Sequence, residues 1–252
     1  MSDFESRIES KIDRIMAKLG IADDPVPDAD VPGDVLDLKR WKLTLPVKGA
    51  DGKVEEIPAA DLTTFKDDKF FFVNAEMNGV VFRTFHGGFT TSGSKNPRTE
   101  LREMAGNGTE KAAWKGGSGT HTMTLTGQVN RLTRVKPHLV IAQIHGKDDD
   151  MTVFRVEGKK LWITDGDTAH GHLVTDDFRL GTRYSLKIEV SGGKTRYWYN
   201  GNEIDFTLPN NDSANYFKAG SYLQSNDDSA PGESTSEFAE AVIYELKVSH
   251  SG

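Results

Sequence analysis

The chain has 252 residues, a formal net charge of −7 at pH 7 and no cysteine. The length suits one large domain, and the missing cysteines exclude disulfides and thiolate chemistry. The negative charge argues against a nucleic-acid partner, no apolar run is long enough to cross a membrane, and an anionic ligand would need a local basic cluster.

Residues 1–20 carry apolar side chains at spacings of three and four from Phe4 to Leu19, with charges between them. This pattern predicts an amphipathic helix that ends at Gly20. The helix is too short to be stable alone in water, so it either docks on the body or self-associates through residues 4–19. Its scattered charges exclude a secretory signal peptide.

Residues 21–35 are rich in proline and aspartate and lack periodicity, which predicts an extended linker. The main domain is therefore expected to span residues 36–250. Within it, short segments such as WKLTL, YSLKIEV and EFAEAVIYELKV alternate apolar and polar residues between turn signals, and Asn200-Gly201 marks a hairpin. The pattern predicts an all-β fold, a two-sheet antiparallel β-sandwich (jelly roll) with a concave cleft, preceded by the N-terminal helix.

Two of these strand-like segments carry an unusual polar face. The period of two places Arg98, Glu100 and Arg102 on one face of NPRTELREM, and Gln143 and His145 on one face of HLVIAQIHG. The opposite face of the second segment is predicted to face the core through Val140, Ala142 and Ile144. Either polar face alone is typical of a solvated strand.

A third segment, YFKAGSYLQ, places Tyr216, Lys218, Gly220, Tyr222 and Gln224 on one face. If the three segments are neighbours in one sheet, their polar faces form a basic groove lined with aromatic rings. Such a groove suits a chain of uronic acids, because arginine binds carboxylates in a bidentate manner and lysine supplies a point charge.

The motifs RTELRE, QIH and YFKAGSYLQ resemble the three signature motifs of polysaccharide lyase family seven, the alginate lyases with a β-jelly-roll fold. The resemblance covers about residues 36 to 250, including the opening WKLTLP. It implies a catalytic site of Arg98, Gln143, His145 and Tyr222. It also implies a surrounding substrate-binding cleft of Glu100, Arg102, Tyr216, Lys218 and Gln224. The segment HGGFTTSGSKNP is a candidate mobile lid.

The implied reaction is β-elimination, which removes the C5 proton of a uronate and expels the oxygen at C4. Charge builds up on the adjacent carboxylate, and donors such as Arg98, Gln143 and His145 suit its neutralisation. In mannuronate Tyr222 can serve as both base and acid, whereas in guluronate His145 is the expected base and Tyr222 the acid. Nearby Arg98 and Lys218 would favour the ionised phenol.

Other interpretations stay open from the sequence. The substrate could be another polyuronate such as glucuronan, or the domain could be a non-catalytic acidic-polysaccharide-binding module or adhesin. A glycoside hydrolase would need two carboxylates facing one cleft, whereas Glu100 and Glu103 are predicted to point to opposite faces. Because the presumed polymer lies outside cells, we expect a secreted protein with its signal removed, or a domain carried on a phage particle.

A metal site is the remaining alternative. Asp165, Asp167, His170 and His172 carry ligand atoms, but their segment is predicted to be a loop, so neither a catalytic metal nor a cofactor is expected. The acidic runs 148–150 and 226–228 leave a structural Ca²⁺ open, although solvated turns are the simpler interpretation.

Overall fold

The computed structural model describes residues 29–166 and 169–252. Two short helices lie in this part, α1 (Pro32–Val35) and α2 (Ala59–Leu62). The strands are β1 (Trp41–Lys48), β2 (Val54–Ile57), β3 (Phe71–Val73), β4 (Val80–Phe85), β5 (Arg98–Ala105), β6 (Glu110–Lys111), β7 (Thr120–Arg131), β8 (His138–His145), β9 (Asp150–Glu157), β10 (Lys160–Asp165), β11 (Ala169–Thr175), β12 (Arg183–Ser191), β13 (Lys194–Tyr199), β14 (Asn202–Pro209), β15 (Tyr216–Leu223) and β16 (Phe238–Ser251).

The strands form two antiparallel sheets. One has the order β11-β10-β9-β8-β15-β5-β1-β2, with β6 pairing to β5, and the other has the order β14-β13-β12-β7-β16-β4-β3. A single apolar core takes side chains from both sheets. The predicted all-β, two-sheet sandwich is therefore confirmed.

Strand alternation explains how one sequence builds both surfaces of a sheet. In β12 the side chains of Tyr184, Leu186, Ile188 and Val190 are buried, while the residues between them are partly exposed. The turn from β13 to β14 uses positive φ angles at Asn200 (49°) and Gly201 (81°), as the predicted hairpin signal requires.

Strand β8 departs from strict alternation. Its pairing with β9 shifts between Val140 and Ala142, so that Ile141 and Ala142 both pack in the main core. Val140 instead joins a separate cluster with Val153 and Tyr222 on the other face of the sheet. The predicted core position of Val140 is therefore wrong, because a bulge displaces the period by one residue.

Part of the predicted linker also packs on the body. Ala29 and Pro32 are buried, and Asp34 Oδ2 accepts a hydrogen bond of 3.0 Å from the backbone N–H of Val31 at the start of α1. A Cβ added to Gly33 would lie 2.0 Å from the carbonyl oxygen of Thr63. Residues 29–35 therefore belong to the folded body and do not form an extended linker.

The predicted helix of residues 1–20, its self-association through residues 4–19 and the linker as far as residue 28 lie outside the described residues. Within the described ranges, no helix has both the length and the apolar character needed to cross a bilayer.

Candidate active site

The predicted site residues lie on one face of the larger sheet, opposite the core, which we call the cleft face. Arg98 belongs to β5, Gln143 and His145 to β8, and Tyr222 to β15. Strand β15 runs between β5 and β8. The four predicted catalytic residues thus lie on three adjacent strands, separated by about 5 Å between neighbours.

The register of these strands aligns the site residues in rows. The pairs are Tyr222 with Arg98, Lys218 with Arg102, Lys218 with Gln143, and Tyr216 with His145. Residues opposite each other in a sheet project side by side from the same face. The three motifs, distant in sequence, therefore form one continuous surface.

Glu100 is the centre of a buried polar network on this face. Its Oε2 atom lies 2.5 Å from Lys218 Nζ and 3.4 Å from Arg98 Nη1, and its Oε1 atom accepts a hydrogen bond from Gln143 Nε2. Burial alone would raise the pKa of the Glu100 carboxyl. The charges of Lys218 and Arg98 and the donated hydrogen bonds outweigh burial and lower that pKa overall.

This network defines the role of Glu100 within the predicted cleft. The side chain is 2% exposed, and both of its oxygens face donors of the protein. Glu100 therefore orients Arg98, Gln143 and Lys218, while its own carboxylate is directed away from open solvent. A two-carboxylate hydrolase site would need a carboxyl that reaches the sugar. Both oxygens of Glu100 instead contact donors of the protein.

Tyr222 lies at the junction between the basic network and an apolar patch. The guanidinium of Arg98 is 3.7 Å from the ring centroid, and Lys218 Nζ is 5.7 Å from it. Val140 and Val153 pack with the ring, which leaves Tyr222 only 8% exposed. The ring of Tyr222 therefore lies between two cationic side chains and an apolar patch.

Residues 86–97, which we call the covering loop, lie against this end of the site. Ser94 Oγ is 2.9 Å from the phenolic oxygen of Tyr222, and Asn96 Nδ2 donates to Gln224 Oε1 at 3.3 Å. The segment predicted as a lid is therefore in contact with the site, and its mobility stays a prediction.

His145 is oriented by its backbone neighbour. Its Nδ1 atom lies 2.7 Å from the carbonyl oxygen of Gly146, and since a carbonyl only accepts, Nδ1 carries the hydrogen. The imidazole stacks on Tyr216 with ring centroids 4.9 Å apart, and the Arg102 guanidinium lies 3.9 Å from the Tyr216 ring centroid. His145 Nε2 is 3.7 Å from Asp150 Oδ1 and is the nitrogen left for substrate chemistry.

Sequence reasoning missed two residues of this site. The sequence predicts Asp150 in a solvated acidic turn, but the residue begins β9 beside His145, and burial raises the pKa of its carboxyl. For Ser94, the sequence indicates only that the residue is part of the candidate lid. No local signal identifies either contact, although the alternating segment DMTVFRVE, if taken as a strand pairing with β8, would have directed attention to Asp150.

The described candidate metal ligands, Asp165, His170 and His172, are not grouped around one point. Their segment is a hairpin of β10 and β11 rather than the predicted loop, in which His170 stacks on Trp162 and His172 on Phe206. Asp167 lies outside the described residues. Among residues 29–166 and 169–252, no three histidine, aspartate or glutamate side chains are grouped so that they would hold a metal ion.

Comparison with known proteins identifies the family of this chain. The model of a family described as alginate lyase matches residues 36–250. The chain belongs to that family. A curated alginate lyase of Klebsiella pneumoniae is 28% identical over 145 residues, which is 47% of this chain and 47% of that protein. The chain thus matches about half the length of that relative.

Solved structures of family members share the fold. The alginate lyase from Corynebacterium sp. is 49% identical with a TM-score of 0.84, and alginate lyase AlgAT5 from polysaccharide lyase family 7 is 43% identical with a TM-score of 0.81. Each alignment covers 88% of this chain and 99% of the other. The resemblance to polysaccharide lyase family seven that the three motifs indicated is confirmed.

Proposed function

We propose that this family member cleaves alginate by β-elimination and leaves unsaturated uronate ends. The observation that carries the proposal is the arrangement of the cleft face, where Arg98, Gln143 and His145 lie beside Tyr222 on three adjacent strands. Support comes from relatives. For example, alginate lyase A1-II′, a family 7 enzyme 29% identical to this chain, has been solved in complex with a substrate written as GGMG.

Arg98 is the principal ligand that we propose for the substrate carboxylate. Its Nε atom is buried and has no hydrogen-bond partner among the described residues, and its bond to Glu100 is long at 3.4 Å. A carboxylate arriving at the guanidinium would satisfy these donors in a charge-assisted geometry. The network around Glu100 holds the guanidinium in place before the substrate binds.

Gln143 places an uncharged amide beside the proposed position of the substrate carboxylate. One N–H of its amide is held by Glu100, and its Oε1 has no hydrogen-bond partner in the described structure. The second N–H of that amide completes the donor set that faces the developing charge. Because Gln143 is fully buried and Tyr222 nearly so, we expect residues 87–93 of the covering loop to move when the polymer enters.

Tyr222 and His145 are the proposed proton carriers. On mannuronate, the Tyr222 phenolate removes the C5 proton and the resulting phenol protonates the leaving oxygen at C4. On guluronate, the two events occur on opposite sides of the ring, so His145 Nε2 takes the proton and Tyr222 donates one. The bond from His145 Nδ1 to Gly146 leaves Nε2 as the basic atom in the neutral ring.

The experiment is an ultraviolet absorbance assay with the wild type and Tyr222→Phe on mannuronate-rich, guluronate-rich and glucuronate polymers. Wild type should create the conjugated C4–C5 double bond on alginate, and Tyr222→Phe should lose turnover by about 1000-fold or more with substrate binding nearly intact, since acid–base catalysis is worth about 10² to 10⁴. Substantial remaining activity would refute the role of Tyr222.

The same assay separates the alternatives. Hydrolysis would create reducing ends without the double bond, a binding module would give neither, and activity confined to the glucuronate polymer would assign another substrate. We also propose that protein side chains alone carry the reaction, which predicts unchanged turnover in the presence of a chelator. Loss of turnover with the chelator would overturn that part.

We further propose that the enzyme acts outside the cell, either secreted with its signal removed or carried on a phage particle. The support is the location of alginate, which is an extracellular polysaccharide. Fractionation of producing cultures should place lyase activity in the medium or on sedimenting particles. Activity retained inside intact cells would contradict the proposal.

A further inference from the structure

Ser94 of the covering loop contacts the reacting oxygen of Tyr222. Its Oγ atom lies 2.9 Å from the Tyr222 hydroxyl oxygen, and it accepts a hydrogen bond of 3.0 Å from the backbone N–H of Asn96. The other acceptor within reach of the Ser94 hydroxyl hydrogen is the carbonyl oxygen of Asn96 at 3.5 Å. The Ser94 hydroxyl therefore lies between the backbone N–H of Asn96, which donates to it, and the phenolic oxygen of Tyr222.

This arrangement favours one direction of the hydrogen bond. Because Asn96 N–H points at the Ser94 oxygen, the single hydrogen of that hydroxyl is free to turn toward Tyr222, which is closer than the Asn96 carbonyl. A phenolate has no hydrogen to give, so once Tyr222 is ionised only Ser94 can donate. Donation to a charged oxygen is stronger than donation to a neutral one.

The surroundings of Tyr222 increase the effect of this donor. Arg98 and Lys218 are the cations near the ring, and Glu100 neutralises part of their charge. On β8 and β9 the apolar side chains of Val140 and Val153 pack with the ring. With the side chain 8% exposed, little water reaches the ring, so Ser94 supplies a hydrogen bond that solvent would otherwise provide.

The covering loop is held by a seam of polar contacts on both sides of Ser94. Lys95 Nζ lies 2.5 Å from Asp228 Oδ2, and Asn96 Oδ1 accepts from Asn226 Nδ2 at 2.5 Å. At the start of the loop, the buried His86 contacts Ser225 and Asp227 at 3.1 Å each. The seam fixes the part of the loop that places the Ser94 hydroxyl on the phenol.

We propose that Ser94 is a positioning residue that stabilises the ionised form of Tyr222. The inference rests on the proposed catalytic role of Tyr222 and adds the group that sets its protonation. After Tyr222 has removed the C5 proton, its new phenolic hydroxyl can donate a hydrogen bond to Ser94 Oγ or pass the proton to the leaving oxygen. The Ser94 hydroxyl therefore donates to the phenolate before proton removal and can accept from the phenol afterwards.

The test compares Ser94→Ala and Ser94→Thr with Ser92→Ala, which removes the same group from an exposed position on the same loop. The substrate is the mannuronate-rich polymer, on which Tyr222 is the proposed base. Without the donor, the phenolate is disfavoured, so the acid limb of the kcat–pH profile should move upward by about one to two pH units. At pH values below the limb kcat should fall by about 10- to 100-fold, with KM nearly unchanged. Thr should restore most of the activity, and Ser92→Ala should match wild type.

A second measurement keeps the inference independent of turnover. Ultraviolet difference titration of tyrosine ionisation, with Tyr222→Phe as the reference, should show the Tyr222 transition at higher pH in Ser94→Ala than in wild type. An unmoved limb and an unmoved transition would overturn the inference, as would a uniform loss of kcat at every pH. Absence of the double-bond product in wild type would instead remove the proposed function.

Discussion

Single residues in this site are held by bonds between buried groups of opposite charge. Glu100 contacts Lys218, Arg98 and Gln143 while being almost fully buried. A buried carboxylate is stable only when all of its ionic and hydrogen-bonding partners are present. Lys218 and Arg98 are buried cations, and they in turn depend on the negative charge of Glu100. One side chain thereby determines the orientation of three proposed substrate ligands.

Glu100→Gln is therefore expected to affect both folding and catalysis. Removing the charge leaves Lys218 and Arg98 buried without compensation, which should lower the free energy of unfolding by about 3 kcal/mol. Loss of orientation of Gln143 and Arg98 should reduce kcat by about 100-fold. Denaturant titration and the absorbance assay measure the two effects. A variant within 0.5 kcal/mol of wild type, roughly the range of neutral surface changes, would contradict the account.

The pH dependence of this stability follows from the lowered pKa of Glu100. The Glu100 carboxyl has an ordinary pKa of 4.5 and a lower pKa in the folded protein. Its stabilising effect is therefore complete at pH values above the ordinary pKa. The effect disappears as the pH falls through the lowered folded pKa. The stability difference between wild type and Glu100→Gln should therefore stay constant at neutral pH and shrink on acidification. A difference that grows in acid would contradict the assigned direction.

Strand β15 determines how closely the site strands approach each other. Gly220 has a φ of 143°, and a Cβ added there would lie 2.6 Å from the carbonyl oxygen of Thr99 on β5. The residue pairs with Glu100, between Lys218 and Tyr222. Only glycine both adopts this backbone conformation and leaves room for the neighbouring strand.

Gly220→Ala should destabilise the protein by about 2–3 kcal/mol, because it combines an unfavourable backbone conformation with a contact against main-chain atoms. Activity should also fall, since β5 and β15 carry Arg98 and Tyr222. The matched control is Gly117→Ala, whose Cβ would meet only Asn211 at 3.6 Å. Thermal or denaturant unfolding of both variants measures the effect, and equal stabilities would refute this role of Gly220.

On the scale of the whole molecule, a buried cluster joins the two sheets through an interior strand of each. Glu103 of β5 is fully buried, and its Oε1 atom lies 2.5 Å from Nε2 of His250 on β16 in the other sheet. Its second oxygen accepts hydrogen bonds from Trp114 Nε1 at 3.1 Å and from the backbone N–H of Phe217 at 2.9 Å. The cluster therefore links the site strands β5 and β15 to the sheet behind them.

Glu103→Gln should lower the free energy of unfolding by about 2–4 kcal/mol, since an amide has one acceptor oxygen and no charge and cannot replace both carboxylate oxygens of this buried cluster. The exposed Glu203→Gln on β14 is the control and should change stability by less than about 0.5 kcal/mol. Chemical denaturation of the two variants provides the comparison. Equal denaturation midpoints for the two variants would show that the cluster does not stabilise the packing between the two sheets.

The sequence by itself determined the all-β class, the polar face of each motif and the family. Alternation decides which side chains of a strand share a face, so it predicts the polar faces that carry Arg98, Gln143, His145 and Tyr222. The three motifs also carried the resemblance that the family match confirmed. These features are local, and short segments of sequence contain them completely.

Only the tertiary structure decided which residues of different strands meet. The bulge that moves Val140 to the cleft face, the contact of Asp150 with His145 and the placement of Ser94 on Tyr222 all depend on strand register and on loop packing. Register and loop position result from packing between residues far apart in sequence. The period of one segment contains no information about them, and they determine which side chains of the site contact each other.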